Sequence, residues 1–379
     1  MYFPIGLYYY LRMKSATTLS ISKHGALPGY PRIACGAQLG ICLFLGIVLC
    51  GCSGGKGASA AQPISAQSFQ LDTLVTITIY DSGDRGLLQD ALDEISRLEG
   101  ILSAAAPGSD PDRLAENAGK AYMEVSEDTL YLLRESGRFS RMSEGAFDCT
   151  VGPLVSLWGI RDGGGHVPSP EELTQTLPLI GYQDVLIDGG GHVMLKSAGM
   201  KVDFGAIAKG YIADKVKELL IGKNIRSALI DLGGNIVLLG SKPDGAAFRV
   251  GARDPKGGGA DYFGVFEVSD QSLVSSGPYE RFFMYEGKAY HHVFDVTTGF
   301  PADNELLQVT ILSGSSTEAE GYSTTAFLLG LDRGFQLVND TEGVEGVFVT
   351  KDGKVYITDG CKDIFRLTSE EYEIAGETQ

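Results

Sequence analysis

The sequence predicts an α+β fold, in which two halves pack closely together. Several segments rich in β-branched residues are bounded by turn residues, and other segments carry apolar residues at helical spacing. The two kinds of segment do not alternate regularly, and no period of about 20 to 50 residues repeats along the chain. Because 44% of the 379 residues are hydrophobic, the chain has enough apolar side chains for a large core.

The first 51 residues stand apart from this domain. They contain four basic residues, no acidic residue and an apolar run of eleven residues from Leu39 to Leu49, followed by Cys50-Gly51-Cys52. That order is typical of a lipoprotein signal, and the run is shorter than the roughly 20 residues that a membrane-spanning helix needs. We therefore expect residues 1–51 to be a signal peptide that is removed before a lipidated Cys52. Met13 is a second candidate start.

A tether and an acidic domain follow the signal. Residues 52–67 are rich in Gly, Ser and Ala, which predicts a flexible link between the lipid and a domain at 68–370. Without the signal, 27 Lys and Arg stand against 48 Asp and Glu, a net charge of −21. This charge argues against nucleic acid as a partner, so an anionic ligand needs a local site or a metal. Apart from Cys52, only Cys149 and Cys361 remain, and Cys149 is predicted to be a buried thiol.

The first elements of the domain show clear periodicities. Phe69 to Tyr80 reads as one strand, and Leu87 to Leu102 places its apolar residues on one helical face. Ala104 to Gly119 contains Pro-Gly punctuation and reads mostly as a loop. Ser126 to Met142 reads as a second helix, with Ser126 as its cap.

The later elements are predicted from the same signals. The strands, hairpins, helix and irregular segment expected after residue 160 are Pro168–Pro178 (irregular), Ser227–Leu239 (a strand broken at Gly233-Gly234-Asn235), Phe248–Ala252, Tyr262–Val268, Phe282–Tyr285 with Ala289–Phe294, the helix Glu318–Leu329, and Val347–Thr350 with Val355–Thr358.

The central stretch joins a strand to a helix through small residues. His192 to Val202 reads as a strand, and the helical stripe begins at Ile207. The unpaired N–H groups of a first helical turn, together with Lys209, are suited to a phosphate group, and Asp203 adds a carboxylate. These features suit a nucleotide diphosphate, although plain packing of a strand against a helix remains open.

Zinc-ligand spacing, a Walker loop and a Gly-x-Ser-x-Gly motif are absent from the sequence. Three other segments combine small residues with hydroxyls, carboxylates or histidines, namely Ser275–Phe283, Tyr290–Pro301 and Thr317–Phe327. His291 and His292 are adjacent on a strand, so only one can face a given pocket; we expect His292, beside Asp295 to Thr298. Glu320 and Thr324 lie four residues apart on one helical face and could bind Mg²⁺. A solvated histidine and an ordinary helix face are the alternative interpretations.

Seven segments, in this order, resemble the family of FAD:protein FMN transferases, also called ApbE. They are Leu71–Thr73, Gly145–Leu154, Val202–Tyr211, Asp231–Asn235, Ser275–Phe282, Tyr290–Pro301 and Glu320–Gly330. The resemblance implies a T-fold-like α+β domain with mixed and antiparallel sheets, and with FAD in a cleft between two packed halves.

The resemblance also implies roles for single residues. The FAD contacts would be Leu71, Ala146, Phe147, Asp148, Asp203 and Lys209, and the magnesium ligands would be the carbonyl of Ala206 with Glu320 and Thr324. His292 matches a histidine that the family needs for transfer. The sequence departs from the family pattern at two places: Glu320 replaces an aspartate, and Ser103 to Ala106 lacks a tyrosine.

The implied reaction is the Mg²⁺-dependent transfer of FMN from FAD to a Thr or Ser hydroxyl of an acceptor protein, with release of AMP. His292 is the candidate general base. The acceptors would be exported or membrane-bound flavoproteins, and the enzyme would lie on the outer side of the cell membrane, held by the lipid on Cys52. An FAD pyrophosphatase and a non-catalytic FAD-binding lipoprotein are the alternatives.

Overall fold

A computed structural model describes residues 62–160, 165–257 and 261–375, all within one compact unit. The predicted signal peptide, Cys52 and most of the predicted tether lie outside the described residues. Within the described ranges, no helix is both long and apolar enough to cross a membrane.

The strands are short and numerous. They are β1 (Ile64–Gln70), β2 (Thr73–Ile79), β3 (Val185–Ile187), β4 (Val193–Leu195), β5 (Ala228–Leu232), β6 (Asn235–Leu239), β7 (Phe248–Arg253), β8 (Tyr262–Val268), β9 (Ser272–Ser276), β10 (Phe282–Tyr285), β11 (Lys288–His291), β12 (Leu306–Ser313), β13 (Val344–Thr350), β14 (Lys354–Ile357), β15 (Phe365–Leu367) and β16 (Glu373–Ile374).

The α-helices lie between these strands in the chain. They are α1 (Gly86–Leu102), α2 (Asp110–Asn117), α3 (Glu127–Met142), α4 (Gly152–Trp158), α5 (Pro170–Thr176), α6 (Ala208–Gly222) and α7 (Ser316–Asn339), the last of which is kinked at Gly330.

Nine strands form one large sheet in the order β1-β2-β5-β6-β9-β12-β13-β14-β16. Its pairs are antiparallel except for the parallel pair of β14 and β16. A three-stranded sheet, β15-β8-β7, and two isolated hairpins, β3–β4 and β10–β11, complete the described strands. The predicted α+β class with mixed and antiparallel sheets is confirmed.

Two hydrophobic clusters cover the two faces of the large sheet. Val75 and Ile77 of β2 point towards one cluster, which contains Ile95 of α1 and Val216 of α6. The three-stranded sheet packs on the opposite face through a second cluster that includes Phe266. Because successive side chains along a strand point to opposite faces of the sheet, the same strands contribute residues to both clusters. A smaller third cluster surrounds the fully buried Trp158.

Two predicted single strands are hairpins. Phe69 to Tyr80 spans the turn between β1 and β2, where Leu71 and Asp72 have φ of 55° and 56°. These residues give no glycine signal for a left-handed turn, which explains the error. Because β1 begins at Ile64, residues 64–67 belong to the fold and not to the tether, and β16 lies beyond residue 370. Ser227 to Leu239 likewise turns at Gly233 and Gly234, whose φ values are 67° and 94°.

Two predicted irregular segments contain helices. The loop Ala104 to Gly119 holds α2, which Ser109 caps and in which Pro111 occupies the first turn, where proline is tolerated. Pro168 to Pro178 holds α5, which begins with a capping box at Ser169. Of the predicted strand from His192 to Val202, only Val193–Leu195 (β4) is extended strand. The predicted strand from Ala289 to Phe294 ends at His291.

Candidate active site

A cleft of about 490 Å³ opens at one end of the large sheet. It is bounded by the β1–β2 turn, the segment before α6, the end of β9, the residues flanking the β10–β11 hairpin, and α7. Its volume falls within the range that suits small-molecule ligands. All ten FAD, metal and catalytic residues expected from the sequence line it, namely Leu71, Ala146, Phe147, Asp148, Asp203, Ala206, Lys209, His292, Glu320 and Thr324. Their individual roles stay predictions.

The segment before α6 is held by short hydrogen bonds. The Asp203 amide donates to the carbonyl of Cys149 at 2.7 Å, and one Asp203 carboxylate oxygen accepts from the Gly205 amide at 2.8 Å. The amides of Ile207 and Ala208 both donate to the Phe204 carbonyl, at 2.9 and 2.8 Å. This tight turn fixes Asp203 and α6 on the same wall of the cleft. Cys149, beside it, is a buried free thiol, as predicted.

Glu320 of α7 caps the N-terminus of α6. One of its carboxylate oxygens accepts from the Gly210 amide at 2.6 Å, and the other lies 3.4 Å from Lys209 Nζ. The prediction of several unpaired N–H groups in this turn is therefore wrong, because Glu320 and the Phe204 carbonyl already satisfy the amides of Ile207, Ala208 and Gly210. Of the features of α6 that were predicted to bind an anion, the positive side chain of Lys209 remains as the candidate.

The close approach of α6 and α7 requires glycine at position 210. A Cβ atom there would lie 2.2 Å from the carbonyl oxygen of Ser316, well inside van der Waals contact. The same approach brings Lys209 and Glu320 together in a buried place. Burial raises the pKa of Glu320, and the Lys209 charge offsets this only in part. Burial lowers the pKa of Lys209, but the charges of Glu320 and Glu280 outweigh it, so the pKa is raised and the ammonium group stays protonated.

The residues around Glu320 suit a small hard cation. Thr324 follows one helical turn later, and its hydroxyl lies 3.3 Å from that of Ser276 in β9. Because the Gly210 amide donates to Glu320, it does not engage the carbonyl of Ala206 four residues earlier. Among the described residues no group of three or more His, Cys, Asp or Glu could hold a metal. One carboxylate with neutral oxygen donors and phosphate is the ligand set that suits Mg²⁺.

Asp148 is occupied by the protein itself. One of its oxygens accepts from both the amide and the hydroxyl of Thr150 at 2.7 Å, and the other accepts from the Tyr182 amide at 2.8 Å. Burial raises its pKa, against these hydrogen bonds. The ring of Phe147 is buried against Phe139. Both residues line the cleft, and the contacts of their side chains with the protein fix this wall in place.

The β1–β2 turn forms the opposite rim. Leu71 has a left-handed backbone, which is uncommon for a branched side chain, and its amide donates to a carboxylate oxygen of Glu99 at 2.9 Å. Glu99 thus holds the turn in place, a role that the sequence did not indicate. Ser103 and Ala104, where an aromatic side chain is missing, also line the cleft and leave space there.

His292 is fixed by the backbone. Its Nδ1 lies 3.2 Å from the carbonyl of Arg281, so Nδ1 carries the proton and Nε2 keeps a lone pair. Burial lowers the pKa of His292 to about 3, which keeps the imidazole neutral near pH 7. The carboxylate of Asp295, beside which His292 was expected, accepts hydrogen bonds from Thr297 and Thr298. His291 instead contacts the carbonyl of Ala302 at 3.0 Å, so only one histidine serves the cleft, as predicted.

Replacing His292 by Gln is expected to make stability less sensitive to acid. The folded pKa of about 3 lies below the ordinary value near 6.5, so the unfolded chain binds the extra proton. The stability that comes from neutral His292 is complete above about pH 6.5 and is lost as the pH falls towards 3, at up to about 1.4 kcal/mol per pH unit. Urea unfolding between about pH 7 and 4 should show a smaller slope for the variant. Equal slopes would contradict the burial of a neutral imidazole.

Several residues that line the cleft had no role predicted from the sequence. Arg281 lines the mouth, where its guanidinium lies 4.0 Å from Asp72, and Arg253 and Glu280 also line the cleft. Ser276 contacts Ser323 at 2.8 Å and lies beside Thr324. Position within the quoted segment Ser275 to Phe283 was the only available signal for Ser276, Glu280 and Arg281.

The fold, with a cleft at one end of its large sheet, defines a class of α+β protein that is also seen in solved structures. The ApbE protein from Thermotoga maritima superposes with a TM-score of 0.74 at 29% identity, covering 80% of this chain and 99% of that one. The flavin transferase ApbE from Vibrio cholerae superposes with a TM-score of 0.72 at 26% identity and the same coverage.

The chain belongs to the ApbE family, whose sequence profile matches residues 71–348. A relative from Treponema pallidum, named FAD:protein FMN transferase, is 35% identical over 345 residues, covering 86% of this chain and 94% of the relative. A protein of the same name from Klebsiella pneumoniae is 33% identical over 285 residues, covering 75% and 88%.

Proposed function

We propose that this chain transfers FMN from FAD to a hydroxyl side chain of an acceptor protein. The observation that carries the proposal is the meeting of Lys209 and Glu320, which lie 3.4 Å apart in a cleft that His292 and Thr324 also line. Family membership supports the same reaction, because the relatives from Treponema pallidum and Klebsiella pneumoniae are named FAD:protein FMN transferase.

The proposed chemistry is a displacement at the FMN-side phosphorus of the diphosphate. The oxygen of a Thr or Ser hydroxyl forms a new P–O bond, the bond to AMP breaks, and AMP leaves with the electron pair. Transfers of this kind depend mainly on positioning and on neutralisation of charge. Lys209 supplies a fixed positive charge for the phosphate oxygens, and Arg281 supplies a second at the mouth. Mg²⁺, held by Glu320, Thr324 and the Ala206 carbonyl, would polarise the phosphoryl oxygens when bound.

His292 is the proposed acceptor of the hydroxyl proton. Its Nδ1 is engaged with the Arg281 carbonyl, and Nε2 is left as the basic atom. In the ligand-free cleft the imidazole is a weak base, because burial keeps its pKa low. A dianionic diphosphate placed beside it favours the charged imidazolium and raises that pKa. The base therefore strengthens only when FAD is present.

Hydrolysis of FAD to FMN and AMP is the second candidate, since water can replace the acceptor hydroxyl in the same cleft. The small side chains of Ser103 and Ala104 on the cleft wall favour access of water from that side. The two reactions release the same AMP, and they differ in the fate of FMN.

We also propose that the enzyme acts outside the cytoplasm, with a lipid on Cys52 holding it to the membrane. The support is the order of basic residues, apolar run and Cys50-Gly51-Cys52 in the first 52 residues. The acceptors would then be exported or membrane-bound flavoproteins. β1 begins at Ile64, so about a dozen residues would separate the lipid from the domain.

The test is co-expression of the full chain with an exported protein encoded near it, followed by mass spectrometry of both. The expected results are the mass of phosphoester-linked FMN on a Thr or Ser of the exported protein and a lipidated N-terminal Cys52 on this chain. AMP and free FMN without labelled protein would favour hydrolysis. A chain that keeps residues 1–51 and carries no lipid would overturn the anchor alone.

A further inference from the structure

Two hairpins meet at the mouth of the cleft. Asp72 is in the turn between β1 and β2, Arg281 immediately precedes β10, and their charged groups lie 4.0 Å apart with both side chains partly exposed. Both residues also line the cleft. Anything that enters from this side must therefore pass the ends of the two hairpins.

The first hairpin exposes an apolar pair beside its turn. Phe69 and Leu74 are directly opposite each other on neighbouring strands and are 75% and 53% exposed. The other pairs on this face, Ser65 with Thr78 and Gln67 with Thr76, are polar. The apolar pair is thus confined to the end of the hairpin that faces the cleft.

The second hairpin, β10–β11, packs against the domain through its inner face, and its outer face is exposed to solvent. Phe283 and Tyr290 stack on each other at 5.6 Å, and Tyr290 lies 5.4 Å from the ring of Trp158. The alternate residues Phe282 and Met284 point the other way and are 49% and 58% exposed. At these two positions the described part of the domain therefore leaves the outer face of the hairpin largely uncovered.

We propose that these four side chains, Phe69, Leu74, Phe282 and Met284, form the surface that receives the acceptor polypeptide. This inference rests on the proposed function, which requires a protein hydroxyl to reach the cleft. β11 ends at His291, directly before His292, so a chain segment lying along this hairpin brings its hydroxyl next to the proposed proton acceptor. Large apolar side chains at the edge of a catalytic cleft are suited to apolar residues on both sides of the reactive Thr or Ser.

The test uses two double variants of the full chain, Phe282→Ser with Met284→Ser and Phe69→Ser with Leu74→Ser. The matched control is Ile221→Ser, because Ile221 is 50% exposed and does not line the cleft. The probe is a peptide that contains the threonine or serine labelled in the co-expression experiment. Melting temperatures are compared first, so that a folding defect is recognised.

We expect the KM for the peptide to rise at least about tenfold in each double variant, as is common when interface anchors are removed. The affinity for FAD and the kcat at saturating peptide should stay within about twofold of the wild type, and the control should match the wild type throughout. An unchanged KM for the peptide overturns the proposal, as does an equal loss of FAD affinity. Altered self-association or vesicle binding with an unchanged KM would assign the surface to a second copy or to lipid.

The failure of this inference can be distinguished from that of the proposed function. If the wild-type chain releases AMP and labels no protein, the proposed function fails before any variant is compared. If the wild type labels the peptide and the double variants do so with the same KM, only the docking surface is wrong.

Discussion

Exchanging Glu320 for Gln is expected to lower FMN transfer at least about 100-fold at saturating FAD. The amide keeps the length of the side chain and an oxygen that can accept from the Gly210 amide, so the cap of α6 survives. The negative charge beside Lys209 is lost, and with it the carboxylate that would hold Mg²⁺. A 100-fold loss corresponds to about 2.7 kcal/mol, within the several kcal/mol that a metal ion contributes to charge stabilisation. The measurement is the rate of AMP release as Mg²⁺ is titrated, with FAD binding followed separately.

Glu318→Gln is the matched control for this experiment. Glu318 lies two residues earlier on α7, is 44% exposed, and lies 3.4 Å from Arg138 on the surface. Its exchange should leave both the rate and the Mg²⁺ dependence unchanged, because exposed ion pairs contribute little. If Glu320→Gln keeps the wild-type rate and the wild-type Mg²⁺ dependence, the carboxylate does not hold a cation and the proposed chemistry needs another source of positive charge.

The fold was predictable from the sequence wherever periodicity was strong. The apolar stripe from Leu87 to Leu102 and the pair Val347–Thr350 with Val355–Thr358 correctly predicted α1 and the β13–β14 hairpin, because local sequence patterns determine these elements. The β1–β2 hairpin was missed because Leu71 and Asp72 adopt a conformation usually reserved for glycine or asparagine. Tertiary contacts, such as the hydrogen bond from the Leu71 amide to Glu99, stabilise that turn, and no local pattern reports them.

The candidate site shows a similar division. Residue type and spacing made Lys209, Glu320 and His292 candidates, the resemblance to the family placed them among the site residues, and the cleft contains all three. The capping of α6 by Glu320 was not predictable, because its two partners lie 110 residues apart in the chain. The low pKa of His292 comes from burial. Burial depends on the tertiary structure and not on the residues adjacent in the sequence. The sequence thus indicated which groups meet, and the structure added their state of charge and hydrogen bonding.

Replacing Asp214 by Ala is expected to lower the free energy of unfolding by about 3 kcal/mol. Asp214 of α6 caps the first turn of α7, where its carboxylate accepts from the Ser315 hydroxyl at 2.8 Å, the Ser316 amide at 2.8 Å, and both the amide and the hydroxyl of Thr317 at 2.9 and 2.7 Å. Loss of a helix cap costs about 1 kcal/mol, and hydrogen bonds to a charged group about 1.5 to 3 kcal/mol. Urea-induced unfolding of the two proteins at pH 7 measures the difference.

Glu218→Ala, one helical turn further along α6, is the matched control. Glu218 is exposed and pairs with Lys215 at 2.8 Å, so its loss should change stability by no more than about 0.5 kcal/mol. Because Asp214 ties the helix that carries Lys209 to the helix that carries Glu320 and Thr324, Asp214→Ala should also weaken the response of AMP release to Mg²⁺, whereas the control should not. If the two variants lose equal stability, the other contacts between α6 and α7 are sufficient, and the geometry of the cleft does not depend on this cap.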